Sequence, residues 1–207
     1  MDDLLLLTIS SPSGAGKTTL TRRLLAQFPD LTFSVSHTTR PPRSTEVNGR
    51  DYHFTERAEF QRMIERGAFA EWAEVHGNLY GTSVSELERA RQEHKTGILF
   101  DVDYQGARQI KAKFRDAVGV FILPPSMHEL EHRLRSRASD DAASIERRFR
   151  TALEEIEHYS FFDYLILNDK LEQADAQLCG VVYAERGRRW RMAAAAEKLL
   201  KEFPRIH

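Results

Sequence analysis

The sequence has a single cysteine, Cys179, so no disulfide can form within the chain. A lack of disulfides is typical of proteins in a reducing cytoplasm. The chain also lacks an apolar stretch near the roughly 20 residues that a membrane-spanning helix needs. Asp2 and Asp3 stand where a signal peptide would carry basic residues, and the apolar run after them is short. We therefore expect a cytoplasmic protein with no signal peptide and no membrane association.

An excess of charge of either sign is also missing. The 30 lysines and arginines nearly balance 31 aspartates and glutamates, which leaves a net charge of -1. Binding to the nucleic acid backbone needs positive charge that displaces counterions, so a general nucleic acid binder is not expected. The hydrophobic content of 41% is that of an ordinary globular protein. The length of 207 residues suits one domain with a sizeable core.

Short apolar runs recur along the chain and alternate with helical patterns. Such runs are typical of strands that are buried on both faces of a parallel sheet. They lie at residues 4–10, 97–101, 118–123 and 164–167. A helix that buries Leu20, Leu24, Leu25 and Phe28 is predicted after the first run. The alternation predicts an α/β fold with a parallel core sheet flanked by helices.

Two segments interrupt this alternation. Residues 37–90 begin as a loop rich in proline and arginine and continue as short strand-like pieces, which predicts a mixed α+β insertion. Residues 126–158 predict a charged pair of helices and contain six arginines but no lysine. The second of these helices would bury a stripe of Ile145, Phe149, Leu153 and Ile156. The core of the single domain would then comprise about residues 1–36, 91–125 and 159–207.

The turn after the first predicted strand reads S-P-S-G-A-G-K-T, residues 11–18. Gly14 and Gly16 permit positive φ, which lets backbone N–H groups point towards a phosphate, and the next helix adds its positive dipole end. Lys17 would contact the β- and γ-phosphates, and the Thr18 hydroxyl would ligate Mg²⁺. The P-loop pattern G-x-x-x-x-G-K-[ST] is met except at Ser11, so the segment predicts nucleotide binding.

Two aspartates, Asp101 and Asp103, end the predicted strand I-L-F-D-V-D. P-loop proteins usually hold their metal with a second carboxylate from a neighbouring strand. Either aspartate could serve, and either could instead cap the following turn. We take Thr18 and Asp101 as the candidate ligands of a Mg²⁺ ion bound with ATP, and which aspartate lies nearer the metal stays open.

Four further stretches carry a family resemblance. They read S-V-S-H-T-T-R-P-P-R-S-T-E-V-N-G-R-D-Y-H-F (34–54), F-A-E-W-A-E-V-H-G-N-L-Y-G-T (69–82), I-L-F-D-V-D-Y-Q-G (98–106) and L-I-L-N-D (165–169). With the phosphate loop they resemble guanylate kinases of the bacterial single-domain form, in the family's order and over nearly the whole chain. The resemblance implies ATP and GMP or dGMP as substrates, with a GMP-binding insertion at 37–90 and a lid at 126–158. It also implies a role in purine nucleotide metabolism.

The resemblance assigns roles to individual residues. It implies that the GMP phosphate is bound by Ser36, Arg40, Arg43, Tyr52 and Tyr80, and that guanine is read by Glu71, Thr82 and Asp103. It implies that ATP is bound by Ser11, Pro12, Ser13, Gly14, Ala15, Gly16, Lys17, Thr18, Arg133, Arg137 and Asn168. The residues expected to act in catalysis are Lys17, Arg40, Arg133, Arg137 and Arg148. The sequence departs from the usual family residues at Ser11, Thr18, His37 and Thr82, but no needed functional group is lost.

The assignment of Glu71 agrees with the chemistry of guanine. Guanine presents two donors, N1–H and the N2 amine, which suit a carboxylate acceptor, while its O6 suits a hydroxyl donor such as Thr82. Adenine reverses the pattern at the six-position and lacks the N2 amine. AMP would therefore leave Glu71 desolvated and unpaired, which is a strong basis for discrimination.

Three other interpretations stay open at this point. Some guanylate-kinase-like domains are protein-binding modules without catalysis, and a P-loop kinase could act on another phosphorylated acceptor. The segment H-E-L-E-H also matches a zinc protease pattern, with His128 and His132 as ligands and Glu129 as the base. The zinc pattern explains nothing else in the chain, whereas the kinase interpretation explains this segment, with Glu129 as the partner of Ser126 in a capping box that opens a lid helix. The sequence does not predict the oligomeric state.

Overall fold

The structure is a computed structural model that describes residues 4–75, 77–136 and 142–202. In chain order its elements are β1 (Leu5–Ser10), α1 (Lys17–Gln27), β2 (Leu31–Phe33), β3 (His37–Thr38), β4 (His53–Phe54), α2 (Arg57–Glu65), β5 (Phe69–Val75), β6 (Asn78–Ser83), α3 (Ser85–Gln92), β7 (Gly97–Asp101), α4 (Tyr104–Lys113), β8 (Val118–Leu123), α5 (Met127–Arg135), α6 (Ala142–Glu157), β9 (Tyr164–Leu167), α7 (Leu171–Arg186) and α8 (Arg189–Glu202). A short 3₁₀ turn, Tyr159–Phe161, joins α6 to β9.

Five strands form the core sheet, in the order β2-β7-β1-β8-β9, and every neighbouring pair is parallel. The predicted α/β class with a parallel core is confirmed, and the four predicted strands lie where the apolar runs indicated. The fifth strand, β2, was not predicted. It has only three residues, of which only Leu31 is fully buried, so it carries little apolar signal.

The two faces of the core sheet are covered by different helices. Residues of β1 alternate between them, because successive side chains of a strand point to opposite faces. Leu5, Leu7 and Ile9 pack with residues of α1 and α7. Leu6, together with Leu4 just before the strand, packs with residues of α3 and α4. The core sheet is therefore buried on both faces.

A second sheet of four strands, which we call the insertion sheet, follows the order β4-β3-β6-β5. Its β3–β6 and β5–β6 pairs are antiparallel. Phe60 and Met63 of α2 pack on Phe69 and Leu79 of this sheet and form a small separate core. Strand β5 is an edge strand, and its free side faces α4. The predicted domain boundaries of the insertion and the lid stay predictions.

Helices α5 and α6 form a pair around Leu130, Leu134, Ile145 and Ala152. The predicted stripe is wrong at one position, because Leu153 is 44% exposed and Ala152 is buried instead. Ile145, Phe149, Ala152 and Ile156 follow helical spacings of four, three and four, which keeps them on one face. Leu153 lies outside that face.

The last helix, α8, buries none of its residues. None of the helices within the described residues is both long and apolar enough to cross a membrane.

Candidate active site

The loop between β1 and α1 has the backbone geometry that the sequence predicts for phosphate binding. Gly14 and Gly16 both adopt a φ of 97°, in the left-handed region that favours glycine. The Ala15 N–H donates to the Pro12 carbonyl at 3.1 Å, which closes the turn before α1. Ser11, which departs from the P-loop pattern, does not have positive φ, so this position does not need glycine.

Asn168 holds this loop from the opposite side. Its buried amide donates from Nδ2 to the Ala15 carbonyl at 2.7 Å, while its own backbone N–H donates to the Leu123 carbonyl at 2.8 Å. A side chain at Gly16 would collide with this amide, so glycine is required there for space as well as for φ. Asn168, which was expected to bind ATP, is thus placed against the backbone of the phosphate loop.

Lys17 begins α1 and forms an ion pair with Asp101. Asp101 ends β7 and is paired with Ile9 in the neighbouring strand, which brings its carboxylate to the phosphate loop at the carboxyl edge of the sheet. The Asp103 side chain instead caps the next helix. Its Oδ1 accepts from the backbone N–H of Gly106 at 2.9 Å, at the start of α4. Thr18 lies exposed in the first turn of α1.

An open cleft lies between the core sheet and the insertion sheet. It brings together residues that are far apart in the sequence. Those of the core are Lys17, Asp101, Val102 and Asp103, and those between residues 36 and 80 are Ser36, Tyr52, Glu71, Ala73, Val75 and Tyr80. Five of the eight residues expected to bind GMP therefore line the same cavity as Lys17.

Glu71 is a buried acid at the edge of this cleft, with only 4% of its surface exposed. Its Oε1 accepts from the Thr82 N–H at 2.8 Å, and the Thr82 hydroxyl lies 3.2 Å from that of Ser36. Burial raises the pKa of Glu71 to about 7; the nearby charge of Asp103 adds to the rise, while hydrogen bonds from Thr82 oppose it. The site thus holds an acid that titrates near neutrality among hydroxyl groups.

Arg40 and Arg43 lie in the loop that precedes β4. Arg40 donates from Nη2 to both carboxylate oxygens of Glu46, at 2.8 and 3.0 Å, and its guanidinium lies 5.4 Å from the centre of the Tyr52 ring. The Arg43 side chain is 76% exposed, while its backbone N–H donates to Glu46 at 2.8 Å. Glu46 was not predicted as part of the site, although it organises both arginines.

The three lid arginines have different surroundings. Arg148 of α6 donates from Nη2 to the Ser13 hydroxyl of the phosphate loop at 2.6 Å. Arg133 instead donates to Glu129 at 2.7 Å within α5. Arg137 lies outside the described residues.

The histidine segment of α5 is explained by the helix itself. The Ser126 hydroxyl accepts from the Glu129 N–H at 3.1 Å, so the predicted N-cap is confirmed. The Glu129 carboxylate bonds to Arg133 and not to the helix start, so a reciprocal capping box is wrong. His128 and His132 are exposed. Glu129 is therefore engaged by an arginine and is not presented as a catalytic base.

Glu155 of α6 was missed by the sequence reasoning. Burial raises its pKa to about 7, with the charge of Lys17 opposing the rise, and its carboxyl accepts a hydrogen bond from the Ser13 backbone. It lies seven residues after Arg148, so both face the phosphate loop from one side of α6. That spacing was the one signal in the sequence that could have found it.

These features define a class: an α/β P-loop protein whose phosphate loop shares a cleft with a second binding region. The guanylate kinase family model matches residues 5–185. Guanylate kinases from Myxococcus xanthus and Geobacter metallireducens are 52% and 50% identical over 189 and 186 residues, about nine-tenths of each chain. The crystal structure of guanylate kinase from Anaplasma phagocytophilum is 32% identical, with a TM-score of 0.78 over 98% of this chain and 96% of that one. The chain belongs to the guanylate kinase family.

Proposed function

We propose that the protein is a guanylate kinase, which transfers the γ-phosphoryl group of ATP reversibly to GMP or dGMP and yields ADP and the nucleoside diphosphate. The observation that carries the proposal is the position of Glu71. This buried acid lines the same cleft as Lys17 of the phosphate loop. One cavity therefore offers a carboxylate for the acceptor base and a cation for the transferred phosphate.

Guanine recognition would rest on Glu71, Thr82 and Asp103. Glu71 Oε1 already accepts from the Thr82 N–H, so the carboxylate is oriented before a nucleotide binds. The N1–H and N2 amine of guanine would donate to this acid. Because Glu71 is buried, a base without these donors would leave its charge unpaired at a large energetic cost.

The phosphate groups would be held by two sets of residues. The acceptor phosphate is assigned to Ser36, Tyr52, Tyr80 and the two loop arginines, Arg40 and Arg43. The ATP phosphates are assigned to the N–H groups of the phosphate loop, Lys17 and the lid arginines. The second pKa of a phosphate monoester is about 6, so GMP is largely a dianion at neutral pH and needs no strong general base. The residues therefore act by positioning the reactants and neutralising charge.

Thr18 and Asp101 would hold the Mg²⁺ ion. A hydroxyl and a carboxylate are oxygen ligands of the kind that Mg²⁺ prefers, and both lie beside Lys17. Two protein ligands also fit an ion that usually keeps several waters and contacts substrate phosphates. When bound, the ion would neutralise charge on the β- and γ-phosphates.

The helices α5 and α6 would act as the lid. Arg148 already contacts Ser13, which places its guanidinium at the loop expected to hold ATP. Closure of such a lid would exclude water, which could otherwise accept the phosphoryl group and hydrolyse ATP.

The acceptor profile tests the proposed function. In a coupled assay of ADP release with GMP, dGMP, AMP, UMP and dTMP, we expect turnover with GMP and dGMP and very little with the others. Turnover of AMP at the rate of GMP would contradict the guanine assignment. Binding of GMP without any ADP release would favour the non-catalytic module, which the family relationship does not favour.

The affinity for GMP is expected to rise with pH because of Glu71. Its pKa is raised to about 7, so below that pH it is mostly neutral and a poorer acceptor for guanine. The dissociation constant of GMP should therefore fall between about pH 5.5 and pH 8. The folding stability of the protein without GMP depends on pH in the opposite direction. A raised pKa favours the neutral form of Glu71, so the stability that Glu71 contributes is lost as the pH rises through about 7.

Calorimetric titration of GMP at several pH values would measure this dependence. The Glu71→Gln variant is the control, since the phosphate of GMP titrates in the same way with both proteins. An equally steep dependence in the variant would rule out Glu71 as its source.

A further inference from the structure

Helix α4 lies against the free edge of β5 and bonds to its backbone. The side-chain amide of Gln109 makes two hydrogen bonds with one residue of the strand. Its Oε1 accepts from the Trp72 N–H at 3.1 Å, and its Nε2 donates to the Trp72 carbonyl at 2.6 Å. A single side chain thus supplies the donor and the acceptor that a neighbouring strand would supply.

Lys113 adds a third bond to the same edge. Its Nζ donates to the Phe69 carbonyl at 2.7 Å. Gly106, Gln109 and Lys113 follow spacings of three and four, so they share one face of α4. We call the contacts of Gln109 and Lys113 with β5 the α4 clasp.

The clasp spans an irregular part of β5. The pairing of β5 with β6 shifts register between Phe69 and Glu71, so the ladder is irregular directly before Glu71. Lys113 bonds to the chain just before the irregularity and Gln109 just after Glu71. The backbone on both sides of Glu71 is therefore held from α4.

The same helix carries the other acid of the cleft. The Asp103 carboxylate caps α4 through the Gly106 N–H, which ties its position to the helix. Gly106 also permits a close approach, because a Cβ there would lie 2.9 Å from Oε2 of Glu71. The relative position of Glu71 and Asp103 is thus set by how β5 is attached to α4.

We propose that Gln109 and Lys113 are positioning residues that determine selectivity for guanine, by holding β5 so that Glu71 keeps its place opposite Asp103. The inference rests on the proposed function, since it concerns the base that Glu71 reads. Neither residue lines the cleft. Gln109 acts through the backbone of β5. Lys113 acts through the backbone as well, and its positive charge also lowers the pKa of Glu71, a charge that Lys113→Arg keeps.

Inosine monophosphate distinguishes this role from a purely structural one. Its base has hydrogen in place of the N2 amine of guanine, so it gains less from a well-placed Glu71. In Gln109→Met, which keeps the side-chain length but loses both bonds, kcat/KM for GMP should fall by about 10-fold more than that for inosine monophosphate. The KM for ATP should not change.

Matched variants complete the experiment. Lys113→Met should reduce the same selectivity ratio, and Lys113→Arg should retain it because a donor to the Phe69 carbonyl remains. Gln61→Met, at an exposed position of α2, should leave the ratio unchanged. Hydrogen exchange of the Trp72 N–H should be faster in Gln109→Met, and this readout needs no activity.

The outcomes separate the two proposals. If the wild-type protein phosphorylates GMP but Gln109→Met keeps the wild-type ratio, the positioning role is wrong and the kinase assignment stands. An equal loss with both substrates would also overturn the inference, because it would indicate a general structural defect. A wild-type protein without activity on GMP would refute the proposed function, and unchanged exchange at Trp72 would refute the clasp itself.

Discussion

Replacing Lys17 by methionine is expected to lower kcat by at least about 10²-fold, the loss typical of removing one group that stabilises charge in a transition state. Lys17 begins α1 directly after the left-handed Gly16 and supplies the cation of the phosphate loop. Methionine has a similar length but no charge, so the developing charge on the phosphates would lose its partner. Single-turnover measurement of ADP formation at saturating GMP would report the loss in the chemical step.

Two controls make this result specific. Lys198→Met, at an exposed position of α8, should retain full activity. Thermal unfolding of Lys17→Met should show a folded protein, because Lys17 lies on the surface of the cleft and not in the core. Undiminished turnover in Lys17→Met would remove the phosphate loop from the mechanism.

The change Glu71→Gln is expected to reduce the preference for GMP over AMP, measured as the ratio of kcat/KM values, by at least about 10³-fold. The glutamine amide would present N–H donors where guanine also presents donors, so a favourable pairing becomes a clash. The fold should survive, because a neutral amide costs less to bury than an ionised acid at this site.

Glu74→Gln provides the matched control for this change. Glu74 lies three residues later on the same strand and is exposed, where it pairs with Arg57. Its replacement should leave the preference for GMP intact. An unaltered ratio in Glu71→Gln would mean that another group reads the base.

The core of the fold could be predicted because its signals are local. Strands such as β7 and β8 are buried on both faces and read as unbroken apolar runs, while Gly14 and Gly16 mark the turn to α1. A strand-like piece was predicted around residues 52–54, where β4 lies, but the two-residue strand β3 is too short to show any periodicity. Their pairing depends on contacts with distant parts of the chain, which no local pattern contains.

The site was predictable only where single residues matched a family pattern. In the sequence Glu46 and Glu155 look like ordinary surface carboxylates, and their partners appear only once the chain is folded. The same holds for Gln109. A glutamine in a helix is usually exposed to solvent, but this one bonds to Trp72 of a distant strand. Arg133 bonds to Glu129 within α5, a contact that the sequence reasoning did not include, and its role in binding ATP stays a prediction.

The pairing of Lys17 with Asp101 and of Arg40 with Glu46 has a consequence for ligand choice. An incoming phosphate must compete with a carboxylate that already pairs with the cation. Its binding free energy therefore includes only the difference between the energies of the two ion pairs. Inorganic phosphate would face this exchange without any compensating contact from a base. A whole nucleotide adds the contacts of its base in the same cleft. The two ion pairs therefore predict weaker binding of inorganic phosphate than of a whole nucleotide.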